Sequence, residues 1–155
     1  PAAWIAATGV APASFTQILA RRPAGVQDRW FARLYWLKPL AIATLSLFWI
    51  ATGLIALGPG RAAANAQLAA TGFPAGAVAA MVFWGAWFDI AVGVLLLWRR
   101  FSRAILIVML VATPLYLLTG TWLAPQLWLD PLGPLTKILP LLLATCFTLA
   151  ILDER

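Results

Sequence analysis

Val82–Trp98, VFWGAWFDIAVGVLLLW, carries one carboxylate, Asp89, inside an apolar run long enough to cross a membrane. An ionised carboxylate at that depth costs roughly 2.5–3.5 kcal/mol on insertion scales, so the run has to be surrounded by protein. At helical spacing Gly85, Asp89 and Gly93 fall on one face, a small-residue stripe that lets neighbouring helices approach. Asp89 is then either a working polar site in a helix bundle or a structural charge satisfied by a neighbouring donor.

Composition extends that reading to the whole chain. Of the 155 residues, 63% are apolar and 10% charged, against about 45–50% and 25% in soluble domains. The expected fold is all-α, an integral membrane four-helix bundle. One cysteine, Cys146, excludes an internal disulfide and a thiolate metal cluster, and the absence of histidine excludes His-containing triads and the commonest metal ligand. No metal site is expected. The net charge of +6 does not indicate nucleic acid, because the basic residues lie at the ends of apolar runs, where they meet lipid headgroups.

Outward from Asp89, four apolar segments are each near the length of a bilayer crossing: about 34–57, closed by Gly58, Pro59 and Gly60; 75–98; 102–123, with Pro114 as an expected kink; and 131–152. The stretch RAAANAQLAATGFP (61–74) reads as a polar, small-residue loop. The last span has two candidate starts, Pro131 after an Asp130 N-cap or Pro134. Upstream, residues 1–29 read as a junction and amphipathic segment, with 30–155 as the membrane domain. Ser14 and Gln17 have the spacing of a capping box for a short helix from Phe15 to about Arg22, ending before Pro23, and a second helix is expected from about Ala24. Trp30, Phe31, Tyr35 and Trp36 interleaved with Arg29, Arg33 and Lys38 have the composition of a membrane interface. Pro1 begins no signal peptide; the start reads as a fragment, a processed chain or the continuation of something upstream.

The short segments carrying Arg21, Arg22, Arg29, Arg33 and Lys38, and Arg99, Arg100 and Arg103, are the basic ones, whereas the other two loops hold only Arg61. The positive-inside rule therefore predicts cytoplasmic N- and C-termini. Two partners for Asp89 come into view. Lys137 opens the last span, but at 1.5 Å per residue it lies on the order of 7–12 Å from Asp89 along the membrane normal, so direct pairing needs tilt or a bridging group, and the alternative is an ammonium that snorkels outward. Tyr116 shares a face with Thr113 and Gly120 on the third span and is the other candidate donor, with an ordinary packing tyrosine as the alternative. Ala43, Ser46 and Gly53 make a small-residue face on the first span that suits packing within the chain or between chains.

The runs RPAGVQDRWFARLYWLKPL (22–40), LFWIATGLIALGPG (47–60), WFDIAVGVLLLWRR (87–100), WLDPLGPLTKILP (128–140) and ILDER (151–155) together resemble the DoxX-like family of four-helix membrane domains. More narrowly, they resemble the version found as the C-terminal tail of bacterial proteins whose front part is a short-chain dehydrogenase/reductase-like NAD(P)-binding domain, with residues 1–20 as the junction. No GxGxxG is present in this chain. The resemblance implies a multi-pass protein of the bacterial inner membrane. It also implies a leaning toward quinone-linked electron transfer, since relatives include the membrane subunit of a thiosulfate:quinone oxidoreductase. In relatives an acidic residue often stands at the Asp89 position and a basic one at the Lys137 position.

Two functions of different class follow as expectations. In the first, the bundle is a non-catalytic module that binds no cofactor itself and holds an upstream or separate NAD(P)-dependent reductase at the membrane. In the second, it is a redox subunit that binds a quinone or another lipid-soluble substrate near Asp89, Tyr116 and Lys137. A small transporter is a third reading and would require a homo-oligomer.

Overall fold

A computed structural model describes residues 2–21, 25–131 and 133–152. Among them are seven α-helices and no strand: α1 (Ala2–Thr8), α2 (Phe15–Arg21), α3 (Val26–Leu57), α4 (Arg61–Ala69), α5 (Ala75–Leu96), α6 (Ser102–Leu123) and α7 (Ile138–Ala150), with a 3-10 turn at Pro125–Trp128. The chain forms two compact units, Pro1–Tyr35 and Trp36–Arg155.

In the first unit, the capping box forms. The Ser14 N–H donates to Gln17 Oε1 at 2.9 Å, and the Gln17 N–H donates to Ser14 Oγ at 3.3 Å, satisfying amides that the first turn of α2 leaves open. Asp28 does the same at the start of α3, its Oδ2 accepting from the Gly25 N–H at 2.8 Å. The expected stop at Pro23 and start near Ala24 lie outside the described residues.

The second unit holds the long helices. Parts of α3, α5 and α6 are long and apolar enough to cross a membrane, with mean hydropathies of 2.2, 1.9 and 2.0. The helix that contains the first expected span has 32 residues and runs through Pro39, and α6 likewise continues through Pro114. In α7, however, the regular helix has 13 residues, a rise of about 20 Å against a hydrocarbon core of about 30 Å. Neither Pro131 nor Pro134 starts it. Gly133, at φ 57°, donates its N–H to the Asp130 carbonyl at 2.9 Å and closes a turn. A second turn over 134–137 then leads into the helix. The loop expected over 61–74 contains α4, because RAAANAQLA is rich in alanine, the strongest helix former.

Large apolar side chains cover much of this unit's exterior, and several polar ones are buried within its core. Leu47, Phe48, Leu54, Trp84, Val111 and Leu118 are exposed, whereas Ser46, Asp89, Thr113, Thr145 and Thr148 are buried. Such a surface suits lipid rather than water, and two of the buried hydroxyls are absorbed by their own helix: Thr145 Oγ1 donates to Leu141 O and Thr148 Oγ1 to Ala144 O. α6 packs against α5 and α7, and α4 against α5.

Two glycines let α3 and α5 meet backbone to backbone, in antiparallel register. A Cβ at Gly53 would lie 2.5 Å from the Ala86 carbonyl oxygen, and one at Gly93 would lie 2.8 Å from the Ser46 carbonyl oxygen. Ser46 Oγ donates to Gly93 O across the same contact at 2.8 Å. Gly85 does not belong to this seam: nothing stands within 4 Å of where its Cβ would be. At about 100° per residue, positions four apart drift about 40° each, so Gly85 is about 80° from Gly93, and Ala86 takes its place against α3. At Gly120 a Cβ would meet Leu135 Cδ2 at 2.9 Å, so this glycine admits the segment before α7. At the end of the unit where α5 turns into α6, Lys38 Nζ donates to Leu152 O at 2.5 Å. A cation thus meets the carbonyl end of α7.

Candidate functional site

Asp89 lies on α5, 7% exposed, and Tyr116 lies on α6. The Tyr116 hydroxyl donates to Asp89 Oδ1 at 3.0 Å. Helix direction brings them together. Side chains lean toward the N-terminus of their own helix, and α5 and α6 run in opposite directions, so Asp89 leans toward the α4 end while Tyr116 leans toward the Arg99 turn. Asp89 is about 10 Å along α5 from Leu96, and Tyr116 about 21 Å along α6 from Ser102. The long tyrosine side chain and the opposed tilts span the difference.

Trp49 of α3 completes the wall. It is 2% exposed, and its ring centroid is 6.1 Å from that of Tyr116 and 6.2 Å from that of Phe88. Its place one turn from both Ser46 and Gly53, on the seam with α5, sets it level with Asp89. Thr113, one turn before Tyr116 on α6, is also buried. Trp49 Nε1 and Thr113 Oγ1 find no hydrogen-bond partner among the described residues. Buried polar atoms are nearly always paired, and of these two one belongs to a ring in contact with Tyr116 and the other lies a helical turn from it.

Toward the α4 end, a cavity of about 370 Å³ opens beside Tyr116. Its apolar walls include Leu68 of α4, Met81 and Val82 of α5, Leu123 of α6, and Leu135, with Gln67 and Thr119 as polar contributions. In volume it falls within the range of small-molecule pockets. A molecule with an apolar body and a small polar head is the chemical type that suits such walls.

Of the site residues expected from sequence, the structure brings Asp89 and Tyr116 together. It leaves Lys137 exposed at the N-terminus of α7. Among the described residues no group of three or more His, Cys, Asp or Glu side chains converges as a metal ligand set. Trp49 was not singled out from the sequence. One of nine tryptophans in a membrane protein, it looks like an interfacial or lipid-facing ring. Its spacing of three from Ser46 and four from Gly53 is the signal that places it inside.

No curated protein and no solved structure gives a significant match to the chain. The family model that does match covers residues 46–146, from the serine on the α3–α5 seam to the cysteine in α7, and so contains Asp89, Tyr116 and Trp49. The chain therefore belongs to the DoxX-like family.

Proposed function

We propose that this chain is the membrane part of an oxidoreductase assembly in the bacterial inner membrane, with four crossings and cytoplasmic termini. In this reading it holds an NAD(P)-dependent reductase, fused upstream or bound separately, and meets a lipid-soluble quinone at the Asp89–Tyr116 pair. The observation that carries the reading is the 3.0 Å hydrogen bond between those two side chains inside an apolar bundle. A carboxylate and a phenol in contact form a unit that can hold or pass a proton, and quinone reduction consumes protons. The cavity beside Tyr116 offers the apolar walls that a quinone tail requires.

The fourth crossing rests on α7 together with its flanks. The helix supplies about 20 Å, and the turns over 133–137 and residues Ile151 and Leu152 extend the apolar path. The orientation rests on the arginines at 99, 100 and 103 and on Lys38, which lie at one end of the bundle, and on Arg61 at the other. The chain supplies protons, position and a lipid-facing pocket; electrons come from the reductase.

A direct test is NADH- or NADPH-dependent reduction of a short-chain quinone by membranes holding the reductase with the wild-type chain, with Asp89→Asn, or with no chain. The proposal expects full activity only with the wild type. Equal activity with Asp89→Asn would reduce the bundle to an anchor, and equal activity without the chain would remove it from the reaction.

A further inference from the structure

The two sides of Asp89 differ. Toward the Arg99 turn lie Leu45, Val92, Leu96, Leu106 and Met109, each 4% exposed or less, in one apolar cluster. Ile42, Ile105, Leu141, Leu149 and Leu152 pack around it. This plug occupies the roughly 10 Å between Asp89 and the end of α5, and the buried hydroxyls on that side are taken up by backbone carbonyls: Ser46 by Gly93, Ser102 by Leu96, Thr145 by Leu141 and Thr148 by Ala144. Toward the α4 end, Tyr116 belongs both to the Asp89 hydrogen bond and to the lining of the cavity, and it is 43% exposed.

We propose that Asp89 exchanges protons with the α4 end of the membrane only, by way of the cavity and the Tyr116 hydroxyl, and is sealed from the Arg99 end. This deepens the proposed function, since it rests on the Asp89–Tyr116 pair being a working site. The step balances without a redox partner. A hydronium at the cavity gives its proton to the Tyr116 oxygen, the Tyr116 O–H bond breaks as its proton joins Asp89 Oδ1, and the products are water, an unchanged tyrosine and a neutral Asp89 carboxylic acid.

Few groups compete for that role. From α6 the titratable group on Asp89 is Tyr116, while from α3 its neighbours on the seam are Ser46 and Trp49, which do not titrate. The charged residue of α4 is Arg61, in its exposed first turn, and Lys137 is exposed at the start of α7. Lys38 of α3 is bonded to Leu152 O beyond the plug. Thr113 Oγ1, one turn from the tyrosine, is a further oxygen that can accept a hydrogen bond there.

The test uses the full chain in sealed vesicles in one orientation, checked by trypsin cleavage at Arg99 and Arg100. The infrared carboxylic acid band, assigned to Asp89 by its absence in Asp89→Asn, is followed after a pH step imposed on one face at a time. The band is expected to respond to the α4 face and not to the Arg99 face. Tyr116→Phe should slow the response by about a hundredfold, the lower end for a lost proton-transfer group, and Leu68→Trp should slow it by filling the cavity. Should Asp89→Asn fail to fold, Asp89→Glu assigns the band by its shift. A response from the Arg99 face, from both faces equally or from neither overturns the proposal. Quinone binding is read separately in the same vesicles. Loss of binding with one-sided titration intact would overturn the quinone reading alone, and the converse would overturn the proton route alone.

Discussion

Tyr116→Phe removes one oxygen and leaves the Asp89 carboxylate buried without its hydrogen bond. Unpairing a buried polar group costs about 1–3 kcal/mol, so the variant should show a clear loss in thermal stability in detergent, while Asp89→Asn should lose less, because the amide oxygen still accepts from Tyr116. A larger loss for Asn than for Phe would mean that the negative charge itself, and not the hydrogen bond, holds the site. At this scale the sequence points to two side chains that the structure brings into contact. Asp89 stood out because a charge in an apolar run demands a partner, and Tyr116 because it shares a helical face with Thr113 and Gly120. What the sequence could not supply was helix tilt and side-chain direction. Those terms favour a phenol leaning along α6 over the ammonium of Lys137, which stands exposed at the start of α7. Trp49 is harder to read for a related reason: its burial depends on which face of α3 meets α5, and its spacing from Ser46 and Gly53 separates it from the other tryptophans only once that face is known.

Between elements, the α3–α5 seam decides the outcome. Gly53→Ala places a methyl 2.5 Å from the Ala86 carbonyl oxygen, and backbone cannot give way as a side-chain tip can. The expected cost is about 1–3 kcal/mol, as for other overpacked interiors. Gly85→Ala meets nothing within 4 Å and should be neutral or stabilise by up to about 1 kcal/mol through helix propensity. Thermal unfolding of the two variants side by side checks this, and equal losses would show that the seam is misplaced. Lys38→Met removes the bond from Nζ to Leu152 O and should cost about 1 kcal/mol, visible as earlier proteolysis of the C-terminal end. The stripe Gly85, Asp89, Gly93 was read from spacing alone, and spacing puts a residue on a face without saying which neighbour that face meets. α4 is hard to read because it is a short piece between breakers, where nine residues are marginal as a helix whatever their propensity; its alanines favour the helix and packing on α5 adds to it. The start of α7 was obscured by Pro131, Gly133 and Pro134, which permit several turns, and the hydrogen bond from Gly133 to Asp130 selects one.

For the whole molecule, an exterior of Leu, Phe, Trp and Val around an interior with buried Ser, Thr and Asp is the pattern that composition foretold, because no soluble core absorbs a chain that is 63% apolar. The helical class and the three long apolar helices were legible for that reason, and the thirteen-residue α7 was not, since hydropathy counts apolar residues whether they lie in a helix or in turns. Orientation is a matter of charge at the two ends. In the orientation proposed above, cysteine placed at Arg61 should react with a membrane-impermeant maleimide added outside the cell membrane, and cysteine placed at Arg100 only after that membrane is opened; the reverse pattern would invert the proposed topology. The site itself is tested most directly by titrating the purified chain with a short-chain quinone and reading tryptophan quenching, to which Trp49 beside Tyr116 contributes. Wild type, Tyr116→Phe and Asp89→Asn are compared at a temperature where all three are folded. The account predicts saturable quenching in the wild type and a weakening of at least about tenfold in each variant, the loss expected for one buried hydrogen bond of about 1.4 kcal/mol. Unchanged affinity in both variants, or no saturable quenching in the wild type, would contradict it and leave Asp89 and Tyr116 as a bond that holds α5 to α6.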